Sequence, residues 1–274
     1  MTLWHLDVRD RNVGGPVLPA RLVYPAGADT GATLDLLAIQ PSVVFLIHGF
    51  NVNRGSGQAQ LTRLSKDLPI KGNPAFVGLT WPGDSWAGPV SYPLEGNDAD
   101  DTAAELAKFI SWAIPQGTTL SFVTHSMGAR VAFETVKALP AGAYPIAQVC
   151  VMAAAIDDFS VSERFTYRTE TENAARVAVL ASERDNVLKW AYPLGDWIQA
   201  FLFFWRDEPG SALGYHGPRS SYDGAVPANV EHVQIPDGVK VDHGDYLSDG
   251  DPSTKEQRAA AWATLALDGD ALKY

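Results

Sequence analysis

The stretch TLSFVTHSMGAR (Thr119–Arg130) decides how the rest of the chain is read. An apolar run of strand character, LSFVT, breaks off at Thr-His-Ser and restarts with helical spacing. An ordinary strand end would stop on Gly, Pro, Asn or Asp; this one stops on Ser126. Behind it Ala129, Ala132, Phe133 and Val136 fall on one side of a helix. A Ser held on so sharp a strand-to-helix bend lies outside both elements, and its hydroxyl stands above the sheet edge. The helix start behind it turns backbone N–H groups and a positive dipole end toward any anion formed there.

Working outward, the same alternation of apolar runs and amphipathic stretches covers most of the chain, the pattern of a mostly parallel sheet with helices on both faces. VVFLI (43–47), FVGLTW (76–81), IAQVCVMAAA, RVAVLAS and VEHVQI read as strands. LWHLDV, RLVYP and LDLLAI read as earlier strands joined by Gly/Pro turns, forming an antiparallel edge. Leu61, Leu64 and Leu68 mark one helix, ended by Pro69, and Leu106, Phe109, Ile110 and Ala113 mark a second that starts on the acidic DADD. The last helix opens at DPSTKEQ, either capped by Asp251 with Pro252 at its first position or through a Ser253/Glu256 capping box. Neither repeats nor a low-complexity linker interrupts the pattern, so residues 1–274 are expected to form a single domain.

Composition sets the outer limits. With 274 residues and 46% hydrophobic content the chain can bury a large core. Its net charge of -11 repels polyphosphate and argues against nucleic-acid binding. The lone cysteine, Cys150, sits in an apolar run and reads as a small buried hydrophobe, which excludes an internal disulfide and a Cys-based zinc cluster. MTLWHLDVRDRNVGG shows no basic start leading into an apolar core, so cytoplasmic residence is expected. WIQAFLFFW (197–205) falls well short of the ~20 residues that span a bilayer.

THSMG (124–128) resembles the G-x-S-x-G elbow of the α/β-hydrolase fold, with Gly128 in place and Thr124 replacing the first Gly. VVFLIHGFN, LTWPG, SERDNVL and DHGDYL extend the likeness over roughly residues 40–250, toward an uncharacterised bacterial group of α/β-hydrolases. The resemblance implies a Ser-Asp-His triad with Ser126 as nucleophile. HGFN resembles the oxyanion-hole loop of that fold, which implies that the backbone N–H groups of Phe50 and Met127 face a developing oxyanion. Gly49 would permit close backbone approach, and His48 and His125 read as structural histidines.

In that fold the acid and then the base follow the nucleophile in sequence. Of His216, His232 and His243, only His243 stands between the last strand and the last helix. Asp185, four residues past a strand, is favoured as the acid over its neighbour Glu183 and over Asp157 and Asp158 one strand earlier. The expected activity is hydrolysis of a carboxylic ester or related acyl compound. An acyltransferase or thioesterase, which shares the acyl-enzyme, and an inactive hydrolase-fold binding protein are the alternatives. A dehalogenase would carry a carboxylate in place of Ser126.

Two loops bear on the substrate. LKWAYPLGDWIQAFLFFW forms, within an apolar segment around 187–215, either a cap or a core helix, and PGDSWAGPVSYPLEGN would supply an opposite wall. Trp86, Tyr92, Trp197 and Phe201 are therefore the pocket candidates for a small-molecule acyl or ester substrate. No cofactor is called for: NRGSGQ lacks the spacing of a phosphate-binding loop, and DHGDY has no second His-rich segment to complete a metal site.

Overall fold

The structure is a computed structural model that describes residues 3–23, 30–83, 96–189, 211–247 and 253–274. Eight strands, β1 (Leu3–Arg9), β2 (Val17–Val23), β3 (Ser42–Ile47), β4 (Ala75–Thr80), β5 (Thr119–His125), β6 (Ile146–Met152), β7 (Ala174–Ala181) and β8 (Val230–Gln234), form one sheet in the order β2-β1-β4-β3-β5-β6-β7-β8. Among the described strands only β1 and β2 pair antiparallel. Pro19, which cannot donate to a ladder, is tolerated because β2 is the edge strand.

The central strands are apolar on both sides because both faces are covered. Val43 to Ile47 are buried throughout, and Phe45 stacks on its register partner Phe122 across the β3–β5 pair, ring centres 5.5 Å apart. Helices α3 (Gly96–Ala113) and α4 (Gly128–Ala138) pack on each other over one face, where Tyr144 donates to the carbonyls of Ile110 and Ile114. On the other face lie α2 (Arg54–Lys66) and α7 (Thr254–Leu267), joined by Arg63 and the buried Glu256, Nε to Oε1 3.6 Å. Ser253 is the cap of α7, accepting from the Glu256 N–H at 3.1 Å, which is the Ser253 half of the capping-box reading, while Asp251 and Pro252 of the other reading lie outside the described residues.

LDLLAI is corrected from strand to helix. It belongs to α1 (Thr30–Ala38) and its exit, ahead of β3. Leu37 is fully buried, while Leu36 is 50% and Ile39 72% exposed, so burial follows no two-residue alternation. Leu and Ala are strong helix formers, and the stretch up to Ala38 contains no β-branched residue to favour a strand. Among the described residues between β6 and β8, α5 (Arg168–Asn173), the helical residues 186–189 and α6 (Leu213–His216) are short helical pieces.

Sheet order decides where chemistry can occur. The β3–β5 register pairs Ile47 with Thr124, so the HGFN loop and the THSMG bend leave the sheet side by side at its carboxyl edge. β6 and β7 end next to them.

Candidate active site

Ser126 joins β5 to α4 with φ +55°, a left-handed conformation that costs a non-glycine residue strain. The bend is over-determined by its neighbours. The Ser126 N–H donates to the Met152 carbonyl at 3.0 Å, and the Ser126 carbonyl accepts from Ala129 at 3.1 Å and Ala155 at 3.2 Å. Gly128 is required by contact, because a Cβ there would lie 2.8 Å from the His48 carbonyl oxygen and 2.9 Å from that of Ile47, both backbone atoms. Thr124, at the position of the missing first Gly, is buried, and its hydroxyl donates to the Cys150 carbonyl at 3.5 Å. Cys150 is fully buried, and burial pushes its thiol pKa up to about 12.

The structure brings Ser126, His243 and Asp185 together. His243 Nε2 lies 2.9 Å from Ser126 Oγ, and His243 Nδ1 lies 2.7 Å from Asp185 Oδ2. Asp185 is fully buried just past β7, and its other oxygen accepts the Leu188 N–H at 2.9 Å. With Nδ1–H donating to the carboxylate, Nε2 is left to accept from the serine hydroxyl. The weighed alternatives stand apart from this chain of bonds. Glu183 is exposed, and Asp158 pairs with Arg219, Oδ2 to Nε 3.4 Å. Asp157 bridges Ala212 through its backbone, His232 bonds to Gln234, and His216 stacks on Tyr215.

On the opposite side of Ser126, a Cβ added to Gly49 would lie 2.8 Å from Ser126 Cβ and 2.9 Å from His125 Nδ1. The loop therefore touches the bend because residue 49 has no side chain. Phe50 follows it, half-buried, and Met127 is buried at the N-terminal cap of α4, where N–H groups have no carbonyl a turn earlier to bond. Trp86, Tyr92, Trp197 and Phe201, and residues 190–210 of the apolar segment, lie outside the described residues.

His48 is fully buried and braces this loop. Its Nδ1–H donates to the Gly49 carbonyl at 2.8 Å, its Nε2 accepts the Trp81 N–H at 3.3 Å, and its carbonyl accepts Trp81 Nε1–H at 2.9 Å. Burial lowers its pKa from 6.5 to about 4. The unfolded chain therefore takes up a proton as pH falls through 6.5, and the folded chain does so only near 4. Stability is expected to drop between about pH 6.5 and pH 5, by up to about 1.4 kcal/mol per pH unit for this residue, in a range where carboxylates have barely begun to protonate. Urea unfolding midpoints across that range measure the summed slope of His48 and of His5, His125 and His232, whose pKa values burial also lowers; a flat profile would mean that these histidines already titrate in the folded protein.

Several residues that hold the site carry no sequence signal. Arg9 at the end of β1 is fully buried and donates to the carbonyls of Arg11, Asn12, Val52 and Trp81, which ties the loop after Phe50 to β1 and β4. Asn186 donates its backbone N–H and its amide to the two oxygens of Asp242, at 2.9 and 3.1 Å. Asp242 and Asp245 also cap the 3-10 turn His243–Asp245 reciprocally. Among the described residues, no group of three His, Cys, Asp or Glu side chains is placed to hold a metal ion, and no helix is long and apolar enough to cross a membrane.

A largely parallel sheet in this order, sandwiched by helices and carrying a Ser-centred bend at the end of β5, defines the α/β-hydrolase fold. The chain belongs to the family described as alpha/beta hydrolase of unknown function (DUF900), whose sequence profile matches residues 36–198. Among solved structures it is similar to the esterase LipW from Mycobacterium marinum, at 17% identity and TM-score 0.45, over 85% of this chain and 74% of that one. It is also similar to carboxyl esterase 2 from Tuber melanosporum, at 13% identity and TM-score 0.44, over 100% and 89% of the two chains. A third likeness is to the catalytic core domain of acetyl xylan esterase from Trichoderma reesei, at 14% identity and TM-score 0.39, over 83% and 96%. Comparison with curated proteins found no match.

Proposed function

We propose that the protein is a serine hydrolase that cleaves a carboxylic ester or a related small-molecule acyl compound through an acyl-enzyme on Ser126. The observation that carries this reading is the unbroken run Ser126 Oγ, His243 Nε2, His243 Nδ1, Asp185 Oδ2, with separations of 2.9 Å at the serine end and 2.7 Å at the acid end. A serine hydroxyl is a weak nucleophile until a base takes its proton. In the proposed cycle Ser126 Oγ bonds to the acyl carbon while its proton moves to His243 Nε2. Asp185 holds the Nδ1–H side of the ring and offsets the imidazolium charge. The carbonyl electron pair collects on oxygen, toward the N–H groups of Phe50 and Met127. Collapse breaks the bond to the alcohol, which leaves with the proton from His243. Water, deprotonated by the same imidazole, then releases the acid and restores the serine.

Phe50 and Met127 are assigned their part because Gly49 and Gly128 bring their backbones against the bend and because α4 directs its positive end there. The test is covalent. A fluorophosphonate probe is expected to form one adduct that peptide mapping locates on Ser126, and the unlabelled protein is expected to hydrolyse short p-nitrophenyl esters. An adduct on another residue, or no adduct with no ester turnover, would overturn the proposal.

A further inference from the structure

The acid and the base are carried by two loops that are bound to each other independently of Ser126. Ser182 Oγ–H donates to the Val241 carbonyl at 2.7 Å, Arg184 pairs with Asp237 at 3.0 Å, and Asn186 makes its two bonds to Asp242, whose Oδ1 also accepts the His243 N–H at 2.8 Å. These ties fix Asp185 relative to His243 without touching the Ser126 bend, to which the acid's strand β7 connects only through β6. His125, the chain neighbour of Ser126, meets that pair. Its Nε2 lies 3.0 Å from the His243 carbonyl oxygen, which can only accept, so His125 donates through Nε2–H. Its ring centre lies 4.8 Å from that of His243 and 5.8 Å from that of Tyr246, and its Nδ1 edge faces Gly49. The donor is itself rigid, since His125 is buried and its backbone is the last register partner of Met152 in the β5–β6 pair.

We propose that His125 is a positioning residue: its Nε2–H bond to the His243 backbone sets the distance between the imidazole and Ser126 Oγ. This rests on the reading of Ser126 and His243 as nucleophile and base. The bond serves only in the neutral ring's Nε2–H tautomer or in the cation. Burial, with His243 next to it, keeps the His125 pKa well below the ordinary histidine range, so the neutral form is the one present. A neutral ring also places no second charge beside the imidazolium formed during catalysis. A misplacement of about 1 Å in such an array costs on the order of a hundredfold in rate, which gives a single hydrogen bond on the His243 backbone its leverage.

The test compares His125→Phe, which keeps a ring and removes the donor, with His125→Gln, whose amide nitrogen reaches nearly as far as Nε2. His125→Met replaces the Phe variant if that one does not fold. Ester hydrolysis by the Phe variant is expected to lose about 10- to 100-fold in kcat with KM held within about twofold, and Gln is expected to restore most of the loss. A second readout needs no substrate. The 15N resonance of His243 Nε2 reports its bond to Ser126. It is expected to move in the Phe variant toward its position in Ser126→Ala and to return in Gln, while the low-field Nδ1 proton facing Asp185 stays in place. An unmoved Nε2 resonance in the Phe variant, or Gln behaving like Phe at equal thermal stability, overturns the proposal. If the parent turns over no ester, the proposed function fails, while the nitrogen resonance still decides the role of His125.

Discussion

Replacing Ser126 by Ala is expected to lower kcat for p-nitrophenyl ester hydrolysis by about 10⁶-fold and to abolish fluorophosphonate labelling. The size follows from what one oxygen does in the proposed cycle: it forms the bond to the acyl carbon, donates the proton that His243 accepts, and carries the intermediate. Residual turnover should be that of water held near the N–H groups proposed to bind the oxyanion. The substitution also separates function from strain. Ser126 is held at φ +55°, which costs a non-glycine residue about 1–3 kcal/mol and a glycine almost nothing. Ser126→Ala keeps that cost and Ser126→Gly removes it. The Gly variant is therefore expected to melt about 2–4 °C above the Ala variant for each kcal/mol recovered, although both are inactive. An Ala variant that keeps more than about one hundredth of the parental kcat would move the nucleophile elsewhere. Equal melting temperatures for Ala and Gly would mean that the bend relaxes when the hydroxyl is gone.

The parts of this arrangement that could be read in the sequence are those encoded locally. β3, β5 and β6 are short apolar runs bounded by breakers, and burial on both faces makes such runs stand out. The bend could be read because a Ser followed by Gly128 interrupts one of them. LDLLAI was open to misreading because six residues cannot separate a period of 2 from one of 3.6: Leu34, Leu36 and Ala38 alternate as a strand would, yet Leu37 is the side chain that is buried. His243 and Asp185 were found through the chain order borrowed from the fold, since neither DHGDY nor SERDN marks its residue as special.

The supporting residues could not be found that way. Arg9 reaches Val52 and Trp81, forty-three and seventy-two positions away, and Asn186 reaches Asp242, fifty-six away. Such bonds exist only once β1 lies beside β4 and the loop after β7 lies beside the loop after β8. No local spacing encodes them. Arg9 also lies ahead of the stretch that matches the family, so a residue outside the shared profile helps to hold the loop that carries Phe50. His125 was legible as structural; its bond to the His243 carbonyl became visible only when residues 118 positions apart met.

Asp185→Asn is expected to lower kcat by about 10⁴-fold, equivalent to about 5 kcal/mol of transition-state stabilisation, with the fold intact. The loss comes from a tautomer. One oxygen of Asp185 accepts the Leu188 N–H and the other faces His243 Nδ1. An asparagine must keep its carbonyl oxygen toward Leu188, because an NH₂ there would oppose a donor, and so it presents NH₂ to the imidazole. Nδ1 then has to accept, the ring proton moves to Nε2, and Nε2 can no longer take the proton of Ser126. The surroundings should persist, because Ser182 still holds Val241 and Asn186 still holds Asp242. The low-field Nδ1 proton should vanish from the NMR spectrum at unchanged melting temperature. Asp158→Asn is the control: that carboxylate faces Arg219, and burial raises its pKa, so the variant is expected to keep kcat within a few-fold. Should Asp158→Asn lose activity while Asp185→Asn keeps it, the acid belongs to the loop after β6, and the 2.7 Å contact at His243 is a structural bond.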